Sequence, residues 1–208
     1  MSDTVVLALG ALWKQRMVKT SNNISRENKY NNGLESLMVK HILELTRSLM
    51  YNGVVQMAET PEDVQGSKDL SRHITVSLRR TIQGLRIMSK WLVSNFSYIE
   101  SSRVASAATP EDLAETVNGF LKTYAEFFTV LAETFPPQQL PELRAPLEED
   151  VFMNGFSPIK RGLFAPVALT EKGLEPGQSQ VHPNEEYLMR ISDLIEDARS
   201  ICDDEVRR

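Results

Sequence analysis

Cysteine is nearly absent: Cys202 stands alone, so no disulfide closes within the chain and no cysteine-rich zinc site forms. A reducing compartment, cytosol or nucleus, follows as the expected location. The three histidines, His41, His73 and His182, are far apart and lack metal-ligand spacing. No run approaches the roughly 20 apolar residues needed to span a bilayer. The apolar start, MSDTVVLALGALWKQRM, has no basic region before it and no small-residue cleavage site after it, so it reads as a helix and not as a secretory signal. Surplus positive charge is missing as well. A net charge of −5 and a pI near 5.3 exclude coating of nucleic acid by bulk charge and leave only a local patch for such contact. The chain also lacks a glycine-rich phosphate loop, a paired metal motif and a nucleophile elbow. Acidic runs at Glu148-Glu149-Asp150 and Asp203-Asp204-Glu205 carry the atoms for acid–base chemistry, but at a helix start and at the chain end they read as solvated charge. No catalytic residues, cofactor, metal, membrane or small-molecule substrate are expected.

What is present is helical periodicity. With 208 residues, 41% of them hydrophobic and 25% charged, the chain suits one module with its own core or one elongated helical array. β-type alternation is nearly absent, and the fold class is all-α: helical hairpins forming a bundle or a short α-solenoid, with a proline-rich segment packed across it. Residues 1–134 make the hairpins, 135–183 the irregular segment and 184–208 a last helix. A first helix over 2–19 groups Val5, Leu9, Leu12 and Trp13. The following SNNISRENKYNN holds five asparagines and predicts a solvated loop. A second helix over 33–57 sets Leu34, Leu37, Met38, His41, Ile42, Leu45 and Leu49 on one side, with His41 expected at the core edge. Two similar marks, Thr60-Pro61-Glu62-Asp63 and Thr109-Pro110-Glu111-Asp112, read as helix starts.

The longest helix is expected over 68–106, its apolar face drawn by Ile74, Leu78, Ile82, Leu85, Met88, Leu92, Phe96 and Ile99. A close helix crossing would explain Gly84 within it. The helix after Asp112 carries a core stripe from Leu113 through Phe120, Tyr124 and Phe127 to Leu131. Eight of the ten prolines then fall between Pro136 and Pro183, which forbids one long helix there. Within that segment a short helix at 146–150, an extended stretch at 155–159, packed aromatic residues from Phe152 to Phe164 and a mobile loop at 170–181 are expected. The last helix buries Leu188, Ile191, Leu194, Ile195, Ala198 and Ile201.

One charge feature is unusual. Between Lys68 and Arg103 stand seven cations against only Asp69 and Glu100. On a continuous helix Arg72, Arg79, Arg86 and Lys90 fall within roughly 40° of one another. Two readings follow: the cations pair with acids of neighbouring helices or of the 148–150 turn, or they form a groove for RNA phosphates or an acidic partner segment. In the second reading Trp91 and Tyr98 add stacking where exposed.

Three blocks carry a family resemblance. They are SLRRTIQGLRI with KWL and NFSYI (77–99), LEEDVFMNGFSPI (147–159) and HPNEEYLMRISDL (182–194). In order and spacing the chain resembles the fungal branch of the telomerase-associated and nonsense-mediated mRNA decay adaptors, the Est/Smg family, over about residues 70–205. The acidic turn leading into Gly-Phe-x-Pro-Ile is the most specific block. Such proteins join a 14-3-3-like tetratricopeptide array, which docks phosphorylated partners, to helical hairpins described as DNA/RNA-binding. The match implies the C-terminal part of that second domain, a piece of a larger protein, with none of the phosphoserine-binding residues. It implies protein partners in the decay or telomerase machinery, RNA or single-stranded DNA as further partners, and a place in nucleus or cytoplasm.

Overall fold

The computed structural model describes residues 2–21, 27–59, 69–106, 113–143, 146–164 and 181–206. Its elements are helices α1 (Ser2–Ser21), α2 (Glu27–Ala58), α3 (Val76–Ser106), α4 (Leu113–Thr134), α5 (Glu148–Phe152) and α6 (Pro183–Val206), with 3₁₀ turns at Leu70–His73 and Pro137–Gln139. There is no strand among the described residues. The fold is an all-α bundle. α3 is its hub, packing against α1, α2, α4 and α6, while α2 lies along α4.

The apolar stripes explain most of this arrangement. Leu78, Ile82, Leu85, Met88, Leu92, Phe96 and Ile99 are all buried, because i, i+3, i+4 and i+7 spacing keeps them on one side of a 3.6-residue helix, and Ile74, just ahead of the helix, is buried with them. α4 buries Leu113, Val117, Phe120, Tyr124, Phe127 and Leu131. Its rings interlock, with Tyr124 and Phe128 centroids 4.5 Å apart and Phe127 set edge-on to Phe128 at 5.1 Å. α6 buries Ile191, Leu194, Ile195, Ala198 and Ile201.

Several expectations change. The asparagine-rich stretch is partly helical, because α2 begins at Glu27; helix propagation from the strong stripe beyond it overrides the weak local preference of asparagine. On α2 the buried line runs through Val39, Ile42, Leu43, Leu49 and Met50, leaving Leu37 and His41 exposed. The helix expected over 68–106 is broken. Asp69 caps the 3₁₀ turn by accepting from the Ser71 N–H at 3.0 Å and its hydroxyl at 2.7 Å, and Ile74 is extended. Thr75 then caps α3 by accepting from the Leu78 N–H at 3.1 Å.

Gly84 needs no close crossing: an added Cβ would meet Leu49 and Val5 at ordinary contact distances, 3.7 and 3.8 Å. The close approach is at Gly53, where a Cβ would lie 2.8 Å from Phe127 of α4. The stretch 155–159 is a pair of turns, not extended, with the Ile159 N–H donating to the Phe156 carbonyl at 3.1 Å and Gly155 at φ +83°. Ile159 is buried and Phe156, Leu163 and Phe164 pack half-buried on the core, but Phe152 is 71% exposed. As the last residue of α5, two positions and so about 200° around the helix from the buried Asp150, it points away from that acid. The two Thr-Pro-Glu-Asp marks and the loop at 170–180 lie outside the described residues.

Candidate nucleic-acid interface and its ionic lock

The basic stripe faces α6. Arg79, Arg86 and Lys90 lie along one side of α3, two turns and then one turn apart, and α6 packs over them. Arg79 is half-buried: Nη2 donates to Asn184 Oδ1 at 3.0 Å, Nε donates to the Ile74 carbonyl at 3.3 Å, and the guanidinium sits 5.2 Å from the Tyr187 ring centroid. Arg86 is wholly buried. Its Nη2 donates to Asp150 Oδ1 and its Nε to Asp193 Oδ2, both at 2.7 Å. Lys90 Nζ donates to Asp193 Oδ1 at 2.8 Å and to Asp197 Oδ1 at 2.9 Å. Arg72 is not on this face. The break at Ile74 and Thr75 puts it on the 3₁₀ turn, where it is exposed.

Around Arg86 the network closes through α5. Asp150 also accepts from the Leu147 N–H through Oδ2 at 2.7 Å, which ties off the first turn of that short helix. Glu149 takes a bidentate pair from Arg190 Nε and Nη2 at 2.8 and 2.9 Å. Burial works against the Arg86 charge, yet Asp193, Asp150 and Glu149 outweigh it and raise its pKa above the ordinary arginine value. Burial also raises Asp197, against the pull of Lys90 and with added push from Asp193. The node thus holds three cations, Arg86, Lys90 and Arg190, among four buried or nearly buried carboxylates, Glu149, Asp150, Asp193 and Asp197, with the more exposed Glu186 3.5 Å from Arg190 at its edge. Asp197 Oδ2 and Arg86 Nη1 make no hydrogen bond.

The stacking residues are also engaged. Trp91 is buried. Tyr98 is half-buried, donates to Glu35 Oε1 at 2.6 Å and is covered by the Arg16 guanidinium 4.0 Å from its ring. The four cations therefore do not share one exposed face, and the acids that meet Arg86 and Lys90 come from this chain.

Sequence reasoning foresaw the 148–150 turn as a partner but missed Asp193 and Asp197. Their spacing was the available clue. Arg86 and Lys90 stand four apart on α3, and Asp193 and Asp197 stand four apart on α6, so the two helices, running parallel with Arg79 meeting Asn184, Arg86 meeting Asp193 and Lys90 meeting Asp197, present matched pairs.

Comparison with known protein families gives a match to the Est1 DNA/RNA binding domain over residues 2–163. The chain belongs to that family. It is a family of binding domains, and the match takes in α1 and α2, which the motif blocks had left uninformative. It stops short of α6, which nevertheless supplies Arg190, Asp193 and Asp197 to the lock. No curated protein and no solved structure matches the chain. Among the described residues no helix is long and apolar enough to cross a membrane, and no cluster of His, Cys, Asp or Glu is arranged to hold a metal ion.

Proposed function

We propose that the chain is the helical scaffold part of an adaptor acting in nonsense-mediated mRNA decay or in telomerase and telomere maintenance, in nucleus or cytoplasm. It makes protein contacts and contacts to single-stranded nucleic acid. The observation that carries the scaffold reading is the ionic lock: the strongest basic feature of an acidic chain is committed to holding α3, α5 and α6 together, which favours a rigid platform over a charged groove. The family's description supports nucleic-acid contact as a second element of the same function. Of the four stripe cations, Arg72 is the one exposed to solvent-borne phosphate, so direct binding rests on other exposed groups as well.

Disrupting the gene in its host separates the pathways. A longer half-life of a premature-stop reporter transcript assigns decay, and progressive telomere shortening assigns telomere maintenance. If neither changes, the adaptor reading fails. Binding is tested with the isolated chain and labelled single-stranded oligonucleotides. The expected affinity is in the weak, salt-sensitive range of about 10⁻⁴ to 10⁻⁶ M typical of sequence-independent contacts.

A further inference from the structure

α5 ends at Phe152, and the chain then folds back on itself through Gly155 and Gly162, whose φ values of +83° and +88° strongly favour glycine. The fold-back encloses a hollow of about 760 Å³ between α5 and the 153–164 loop. Its lining includes Asp150, Asn154, Phe156, Lys160, Arg161 and Phe164.

The charges there are one-sided. Asp150 is fully buried and neutralised by Arg86, whereas Lys160 and Arg161 are exposed and make no ion pair among the described residues. Phe156 and Phe164 are half-buried, and Phe164 lies 5.7 Å from the Arg86 guanidinium, which joins the wall of the hollow to the buried lock. On the other side of α5 the sign reverses: the second hollow there is lined by Asp3, Glu148 and Glu149 without a cation.

We propose that the 153–164 loop is the nucleic-acid contact of this chain, a cradle for a single strand. Lys160 and Arg161 meet backbone phosphates, and a base enters the hollow against Phe156 and Phe164. The inference rests on the nucleic-acid reading above and names its site. Each feature has a physical counterpart in the ligand. Adjacent cations match the repeating phosphates of a backbone. Aromatic faces take the face of any base, so such a cradle needs no particular sequence. A duplex does not fit this chemistry, because its bases already stack on one another and offer no free face. An acidic peptide would satisfy Lys160 and Arg161 but leave the rings unused.

The test measures fluorescence anisotropy of labelled 12-nucleotide single strands, RNA and DNA in separate arms, against the full chain at several salt concentrations. Lys160→Gln/Arg161→Gln is expected to weaken binding and to flatten the slope of log affinity against log salt by about 1.4, two phosphate contacts at about 0.7 each. Phe164→Leu, which keeps apolar bulk on the core, is expected to weaken binding by roughly 5- to 150-fold while leaving the slope unchanged. Lys122→Gln/Arg199→Gln, exposed cations that do not line this hollow, should leave affinity unaltered. Circular dichroism and denaturation midpoints report whether each variant is folded, and the two loop cations are exposed enough that their replacement spares the fold.

If the parent binds and the loop double variant binds equally with an equal slope, the cradle is wrong while the nucleic-acid reading stands; Arg72→Gln/Arg80→Gln then locates the other surface. No binding by the parent at 50 mM salt, about the lower end of the usual range, overturns the nucleic-acid reading itself. Polyglutamate that competes with the oligonucleotide, together with indifference to Phe164→Leu, assigns the loop to an acidic protein segment and overturns the single-strand proposal.

Discussion

At the scale of single residues the ionic lock makes unequal demands on its members. Arg86 and Asp150 have no exposure and meet at 2.7 Å. Removing one charge strands the other in the interior, which typically costs about 3 to 5 kcal/mol. Asp150→Asn and Arg86→Met should each lower the denaturation midpoint by an amount of that order, and an unchanged midpoint for either would take the pair out of the account of stability. Asp197 is different, as the fourth carboxylate among three cations with a raised pKa. Its proton is held more tightly in the folded state than in the unfolded chain. Its contribution to stability is therefore greatest at or below the ordinary aspartate value of 3.8 and is lost as pH rises through the folded pKa. Asp197→Asn removes that loss. The parent's stability relative to this variant should fall between pH 4 and pH 7, and a difference that stays flat or rises would show that Lys90 dominates Asp197 after all.

At the scale of elements two glycines make opposite predictions. Gly53 of α2 faces the wholly buried Phe127 ring, which has nowhere to move, so Gly53→Ala should destabilise by about 1 to 3 kcal/mol through overpacking. Gly84 of α3 has room for a methyl group. Gly84→Ala should then stabilise by up to about 1 kcal/mol through helix propensity, read as a higher thermal midpoint. Sequence reasoning pointed to Gly84 because it interrupts a strong stripe. It passed over Gly53 because a close approach depends on which ring of another helix lies opposite. Helix stripes were legible for a related reason: burial on α3, α4 and α6 follows a local period. The break at Ile74 and Thr75 was less so, since Thr75 became a cap only by competing with a continuing helix. His41 was misplaced because Val39, Ile42 and Leu43 moved the centre of the α2 stripe away from it.

At the scale of the whole molecule the question is what α6 does for a family fold that matches only through residue 163. The basic stripe was visible in the sequence, but what covers it was not, because Arg86 and Asp193 meet across more than a hundred residues and no local rule sets the register of two distant helices. The structure makes α6 the lid on α3. It buries an apolar stripe from Ile191 to Ile201 and supplies both carboxylates of Lys90 and one of those of Arg86. A chain ending at residue 164 would leave Lys90 without partners and Arg86 with α5 alone, beside an uncovered face of Leu92, Phe96 and Phe120. Each large side chain returned to water forgoes about 1.5 to 3 kcal/mol, and several such losses exceed the 5 to 15 kcal/mol that separates a typical native domain from its unfolded state. The truncated chain should therefore show no cooperative unfolding transition in urea while keeping much of its helical circular dichroism. A peptide spanning residues 181–206, added in trans, should restore the transition, and the same peptide with Asp193→Asn/Asp197→Asn should restore it less. A truncated chain that unfolds cooperatively with the midpoint of the full one would mean that α6 is an appendage to the family fold and not part of its core.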